Sequence, residues 1–389
     1  MIHSCLFSTR IVAAPRLARL AAMLCIACMV LTACAGKKTH QDESVRGIVV
    51  DLAAKKAADP DVPGLSVAVL RHGQDAPICA AFGTASLENP VPVTTASRFK
   101  IGSITKVFTA TLIHRLIEEG KLGYDTPINR FFPTYPNGKG ITVRNLLEHT
   151  SGIPEMLAQP AVLQNLARDW PAEELIGMVA KQPPLFKPGT QQRYCNTGFL
   201  MLAVIAEKIT GRTYAEQIRE VFVDKLGMKT LLTGVDSAVV PRLVSGYSGS
   251  DGEMQLPLAA SIAIALGTGN LVASPDDVVR LVNLDRLLKN KVLETLPLRP
   301  LVLTDGKEAV YASKSSHYLS SELDGCTLFL FSEPKIDLIG KLGSFPGFGS
   351  AFFYDRQTGY GVAVSINNEK AIPQAIALGA EILNALRHR

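Results

Sequence analysis

Strand patterns at both ends of the chain, with helical patterns between them, restrict the available folds more than any other feature. Near the start, Leu65-Ser-Val-Ala-Val-Leu70 is apolar and β-branched and runs into His72-Gly73, as a strand entering a hairpin does. Near the end the pattern returns at Thr327 to Phe331, Ser350 to Tyr354 and Tyr360 to Ile366, with Asp355 to Gly359 as a hairpin turn. A helical stretch from Pro373 to Leu386 closes the chain. Between about residues 121 and 280 the periodicity is helical, as in Thr197 to Thr210 and Tyr214 to Leu226, interrupted by Pro183-Pro184 and Pro188-Gly189. A sheet built from both ends has to close around what lies between. The expected fold is therefore mixed α/β (α+β): an antiparallel sheet flanked by helices, formed by residues 44–120 and 281–389 and interrupted by an all-helical domain at 121–280. The seam between the two is the natural place for a site.

Residues 1–33 stand apart from this domain. They carry Arg10, Arg16 and Arg19 and no acid, and their apolar stretch from Leu20 to Leu31 is too short to span a bilayer, so they read as a signal peptide. The stretch ends on Leu31-Thr32-Ala33-Cys34, which resembles the lipobox of bacterial lipoproteins and marks Cys34 for lipidation. Residues 34–43 then read as a polar tether. Ala35, where an aspartate would favour inner-membrane retention, points to the outer membrane if the source has two, so an exported, periplasm-facing envelope protein is expected.

Composition narrows the partners. With 389 residues, 47% of them hydrophobic, the chain can bury one large core or two modest ones. Its formal charge of +5 falls to about +2 without the leader, which gives no support to a nucleic-acid partner. Of seven cysteines, Cys79, Cys195 and Cys326 lie beyond the leader, an odd set that allows one disulfide, with Cys79 and Cys326 as the expected pair. Neither a Cys-x-x-Cys pair in the mature chain nor a His-Glu-x-x-His helix suggests a metal, and no cofactor is expected.

The chemistry begins at Ser103-Ile104-Thr105-Lys106. From Ser103 to Glu119 the pattern is helical, with Val107, Phe108, Leu112, Leu116 and Ile117 on one face and Gly120 as the stop. The hydroxyl of Ser103 and the amine of Lys106 then lie three residues apart on one face, within mutual reach. A serine hydroxyl needs a neighbour to take its proton, and a lysine whose pKa is lowered by burial or nearby cations can do so. Alone, such a pair is common on solvated helix faces, and its meaning depends on what else converges. Tyr194-Cys195-Asn196, just before the helical stretch at Thr197, puts a phenol and a carboxamide on one edge because alternate residues of an extended segment face the same way. Cys195 between them faces away and reads as a packed small residue. Gly340 to Phe348 is too glycine-rich for a central strand and suits an edge strand approached by a ligand, where Lys341 would meet an anionic group.

These three elements, in this order, resemble the serine β-lactamase and penicillin-binding-protein superfamily, in particular its branch of class C β-lactamases, D-alanyl-D-alanine carboxypeptidases and related esterases. The resemblance runs over nearly the whole mature chain: Pro63 to Val69, Phe82-Gly83, Phe99 to Ser103, Glu119 to Leu122, the specific segment Ile141 to Pro154, Pro188-Gly189-Thr190, Leu226-Gly227-Met228, and Gly269 to Leu271 followed by Ser274 and Asp277. It implies a β-lactamase/DD-peptidase-like fold and an acyl-enzyme on Ser103. Lys106 would take the proton directly or through Tyr194, with the choice of base left open. Asn196 would bond a substrate amide and Lys341 would supply positive charge. Gly343 and Ser344 belong to the same binding strand, with an oxyanion hole from the backbone N–H groups of Ser103 and Ser344. Leu342 departs from the family pattern, replacing a threonine hydroxyl that contacts a substrate carboxylate, which weakens the expectation of β-lactam turnover.

The function expected is a serine hydrolase of short peptide, amide or ester substrates at the cell envelope, D,D-peptidase-like first and a β-lactamase-fold carboxylesterase next. A β-lactamase ranks third. A non-catalytic penicillin-recognising lipoprotein is disfavoured by intact Ser103, Lys106 and Tyr194, and a Ser-His-Asp esterase by the lack of a Gly-x-Ser-x-Gly elbow. His149 reads as a structural hydrogen-bonder. The partners expected are a small-molecule or peptide substrate and, through the lipid, a membrane.

Overall fold

The computed structural model describes residues 40–234, 238–289, 299–310, 316–318, 329–331 and 338–389. The leader, Cys34 and Cys326 fall outside them, and with Cys326 the pairing expected for Cys79. The first helix, α1 (His40–Ala57), begins inside the stretch read as a tether, with Asp42 and Glu43 in its first turn, where carboxylates favour a helix start.

Strands β1 (Gly64–Arg71), β2 (Ile78–Ser86) and β3 (Val91–Pro92) come from the N-terminal side. Shorter strands β4 (Phe99–Lys100), β5 (Leu232–Thr233), β6 (Ser248–Ser250), β7 (Glu253–Gln255) and β8 (Leu271–Ala273) follow. The C-terminal side supplies β9 (Ser316–Tyr318), β10 (Phe329–Phe331), β11 (Leu338–Phe345), β12 (Phe348–Asp355) and β13 (Tyr360–Ile366). The main sheet is antiparallel in the order β3-β2-β1-β13-β12-β11-β10-β9, so the two ends of the chain meet where Leu65 pairs with Ile366 and Arg71 with Tyr360. The expected sheet assembly is therefore found.

Both faces of this sheet are covered, which is why β1 reads as a continuous apolar run instead of an alternating one. Val67 and Val69 face a layer that includes α1 and the C-terminal helix, while Ala68 and Leu70 face the opposite core. Phe352 and Phe353 divide the same way, so Phe→Ala at either is expected to cost about 3–5 kcal/mol. Helix α2 (Thr105–Glu118) sends Val107, Phe108 and Leu112 into the second core and Ala110, Ile113 and Leu116 into a third, which α3 (Val143–Leu147) and α4 (Asn196–Thr210) help to build. Helix α5 (Ile372–Arg387) closes the chain; its Arg387 donates to both oxygens of the buried Asp355 at 2.6 and 2.7 Å, fastening it to the β12–β13 turn.

One expectation is corrected. β11 is not a simple edge strand, because Leu338, Ile339 and Gly340 pair with β10. From Lys341 to Phe345 the described pairing is to β12, and the other side meets the backbone around Ser103. Gly343 serves that close approach, which a side chain there would block, whereas Gly340 makes room for Phe352 and Phe353 of β12.

Candidate functional site

Ser103 sits in a 3-10 turn, Gly102–Ile104, immediately before α2. Gly102 has φ +52°, and a Cβ there would lie 2.4–2.6 Å from backbone atoms of Ser344. A Cβ at Gly343 would lie 2.0 Å from the Ile101 carbonyl oxygen. Two backbone segments thus touch, one bearing Ser103 and the other Ser344, as two backbone donors facing a shared oxyanion require.

Lys106 follows one turn later and is completely buried. Its Nζ lies 3.3 Å from Ser103 Oγ and donates to Asn196 Oδ1 at 2.7 Å and to the Thr268 carbonyl at 2.9 Å. Burial pushes the amine down to about 7, against the opposing pull of the Glu155 carboxylate and of Cys195. A neutral amine has two hydrogens and one lone pair. Asn196 and Thr268 accept the hydrogens, and the lone pair is left facing the Ser103 hydroxyl. The Thr268 carbonyl is held by its loop, in which Asn270 Oδ1 accepts from the Gly267 N–H at 3.0 Å and Leu271 N–H donates to Thr105 Oγ1 at 3.2 Å.

The Tyr194 ring is close to both lysines, its centroid 4.8 Å from Lys106 Nζ and 5.4 Å from Lys341 Nζ. Lys341 is itself fully buried, so its ammonium charge acts beside Tyr194 and not at the open surface. Strand alternation sends Lys341 and Gly343 towards Ser103, whereas Leu342 packs into the layer behind the sheet. Ser344 is exposed.

His149 holds the tyrosine segment from below. It occupies the left-handed region at φ +57°, accepts the Cys195 N–H on Nδ1 at 3.1 Å, and places its ring 4.4 Å from that of Tyr194. Burial, helped by Lys341 and Lys106, keeps its pKa well below the ordinary value, so it is a neutral support. Cys195 turns away to the Ile153 carbonyl at 3.4 Å, and burial pushes its thiol up to about 12.

The structure thus brings Ser103, Lys106, Tyr194, Asn196, Lys341, Gly343 and Ser344 together, and two participants escaped the sequence pattern. Thr268 contributes a main-chain carbonyl, which no residue type announces. Glu155 directly follows the distinctive segment ending at Pro154, and its carboxylate accepts the Asn196 N–H at 2.6 Å. A cavity of about 400 Å³ opens further along β11, lined by Lys100, Phe345, Pro346, Phe348, Pro257 and Ser261 among others, beside the Ser103 cluster and not over it.

The sequence model of the Beta-lactamase family matches residues 49–387. A penicillin-binding protein of Bacillus subtilis (strain 168) is 35% identical over 141 residues, covering 36% of this chain and only 31% of that protein. A β-lactamase of Pseudomonas fluorescens is 24% identical over 371 residues, 88% of this chain and 99% of the relative. Among solved structures, the D-amino acid amidase from Ochrobactrum anthropi SV3 complexed with L-phenylalanine matches with a TM-score of 0.71 at 25% identity, covering 89% of this chain and 99% of that one.

Proposed function

The chain belongs to the Beta-lactamase family, a serine hydrolase family, and on that footing we propose that it cleaves short amides or peptides of D-amino acids through an acyl-enzyme on Ser103. The observation that carries this reading is the set of three contacts on Lys106, which leaves its lone pair for the Ser103 proton. Ser103 Oγ attacks the substrate carbonyl as its proton passes to Lys106. Backbone N–H groups of Ser103 and Ser344 receive the oxyanion. The proton then goes to the leaving amine, directly or through the Tyr194 phenol, and water releases the acyl group by the reverse sequence. With Oδ1 committed to Lys106, Asn196 offers its Nδ2 hydrogens to a substrate carbonyl.

An amide leaving group needs a proton more than an ester does, and the placement of Tyr194 close to both Lys106 and Lys341 supports an amide. Similarity to a D-amino acid amidase supports the D-configuration. The apolar walls of the cavity at Phe345 suit an apolar substrate side chain.

The test is turnover of D- and L-phenylalanine amide, D-Ala-D-Ala, p-nitrophenyl acetate and nitrocefin, with a fluorophosphonate adduct mapped by peptide mass. The expected outcome is an adduct on Ser103 and a preference of at least about tenfold for the D-amide over the L-amide. Activity should rise with pH as Lys106 loses its proton, with an acid limb near 7. Turnover of the ester alone would transfer the reading to a carboxylesterase, and nitrocefin as the best substrate would make it a β-lactamase. The leader and Cys34 support export and lipid anchoring at the envelope. Metabolic labelling with a fatty acid should mark the wild-type chain and not Cys34→Ser; equal labelling would remove that site.

A further inference from the structure

The geometry points to a role for Glu155: we propose that it is a positioning residue for the nucleophile–base pair, acting through Asn196 and through its own negative charge. The inference rests on the acyl-transfer reading of Ser103 and Lys106.

Glu155 caps the 3-10 turn Met156–Ala158, where its Oε1 accepts the Leu157 N–H at 3.0 Å. Its Oε2 accepts the N–H of Asn196, the first residue of α4, at 2.6 Å. A carboxylate at a helix N-terminus is favourable on its own account, and capping alone would explain that contact. What goes further is the identity of the residue it holds. Asn196 is the one whose Oδ1 accepts from Lys106 at 2.7 Å, and Lys106 is 3.3 Å from Ser103 Oγ. The chain of contacts therefore runs unbroken from the carboxylate to the nucleophile, with one asparagine between the negative charge and the amine.

Among the described residues, the ionisable groups around Lys106 are Tyr194 and Cys195 before α4, Glu155 before the Met156 turn, His149 after α3, and Lys341 on β11. Burial keeps His149 neutral and holds the Cys195 proton in place. Lys341 brings positive charge to the same cluster, and of these groups Glu155 brings the carboxylate. Two consequences follow. The carboxylate sets the rotation of the Asn196 backbone and with it the direction of Oδ1. Its charge also favours the protonated amine, so that the deprotonation of Lys106 falls at a higher pH than burial alone would give.

The experiment is the pH dependence of fluorophosphonate labelling at Ser103 in the wild type, Glu155→Gln and Glu155→Asp, with melting temperatures measured alongside. Glu155→Gln is expected to move the acid limb down by about one pH unit and to slow the plateau rate by about tenfold. Glu155→Asp, which keeps the charge and shortens the reach, should leave the limb in place while the plateau falls. It carries the test if Glu155→Gln fails to fold. A folded Glu155→Gln protein with the wild-type limb, or a Glu155→Asp protein with the wild-type plateau, overturns the inference and leaves the acyl-transfer reading standing. Absence of labelling at Ser103 in the wild type overturns both.

Discussion

Ser103→Ala and Lys106→Met are each expected to eliminate acyl-enzyme formation, with turnover at pH 8 falling by at least about 10³-fold for the lysine variant and further for the serine variant. The two residues act as a unit, so the double variant should be no worse than Ser103→Ala alone. Their effects on stability should differ. Ser103 is half-buried and small, and its loss should change the melting temperature little. Lys106 is fully buried, and burial lowers its pKa from 10.5 to about 7. Between those values the unfolded chain binds more protons than the native one, so the native state is progressively penalised as pH falls through that window, fully so below 7. Methionine removes this penalty and fills similar space, while Asn196 Oδ1 and the Thr268 carbonyl lose their donor. The expected balance is a melting temperature at pH 7 equal to or above that of the wild type, with a weaker rise between pH 7 and 10. Thermal melts at pH 7 and 9 together with phosphonate labelling measure both halves. Retained labelling in Lys106→Met would remove the lysine as base, and a melt far below wild type would show that its hydrogen bonds outweigh its desolvation.

Gly343→Ala is expected to damage the site from the backbone side. Its new Cβ would sit 2.0 Å from the Ile101 carbonyl oxygen, so at least about 1 Å of movement is needed to relieve the overlap. Neither side yields readily. β11 is paired with β12 from Ile339 to Phe345, and Ile101 N–H is bonded to the Leu271 carbonyl at 3.1 Å. Overpacking of this kind costs about 1–3 kcal/mol. The larger loss should be in catalysis, because the displaced segments carry the Ser103 and Ser344 N–H groups, and a misplaced oxyanion donor costs about 10²–10³ in kcat. Ser344→Ala keeps the N–H and changes an exposed side chain, so kcat should fall by no more than a few-fold. Steady-state kinetics on the pair, with a melt to separate folding from chemistry, provides the measurement. Wild-type kcat in a folded Gly343→Ala protein would show that the touching backbones do not build the oxyanion site.

Much of this architecture is local and therefore legible along the chain. Tyr360 to Ile366 forms β13 with the bounds its apolar pattern suggests, and Thr197 to Thr210 lies within a helix that starts one residue earlier. Both depend on the period of side chains along a single segment. Ser103 and Lys106 share a face for the same reason, although the serine belongs to a 3-10 turn and not to the α-helix itself. The segment Tyr214 to Leu226 changes helical type after Ile218, which periodicity alone does not reveal. The glycines of β11 suggest an edge strand, but Ile339 and Gly340 are paired on both sides, Gly340 answers to Phe352 and Phe353 of the neighbouring strand, and only Gly343 answers to Ile101, a residue some 240 positions earlier.

What the sequence by itself determined is the chemistry on offer: a serine and a lysine one turn apart, a tyrosine and an asparagine on one edge, and a lysine in a glycine-rich strand. What only the tertiary structure decided is the state of that chemistry. Lys106 is placed to act as a base because distant segments bury it and because Asn196 Oδ1 and a main-chain carbonyl at Thr268 accept from its amine. Desolvation and main-chain acceptors depend on the whole fold around an atom, and no spacing between residue types encodes them.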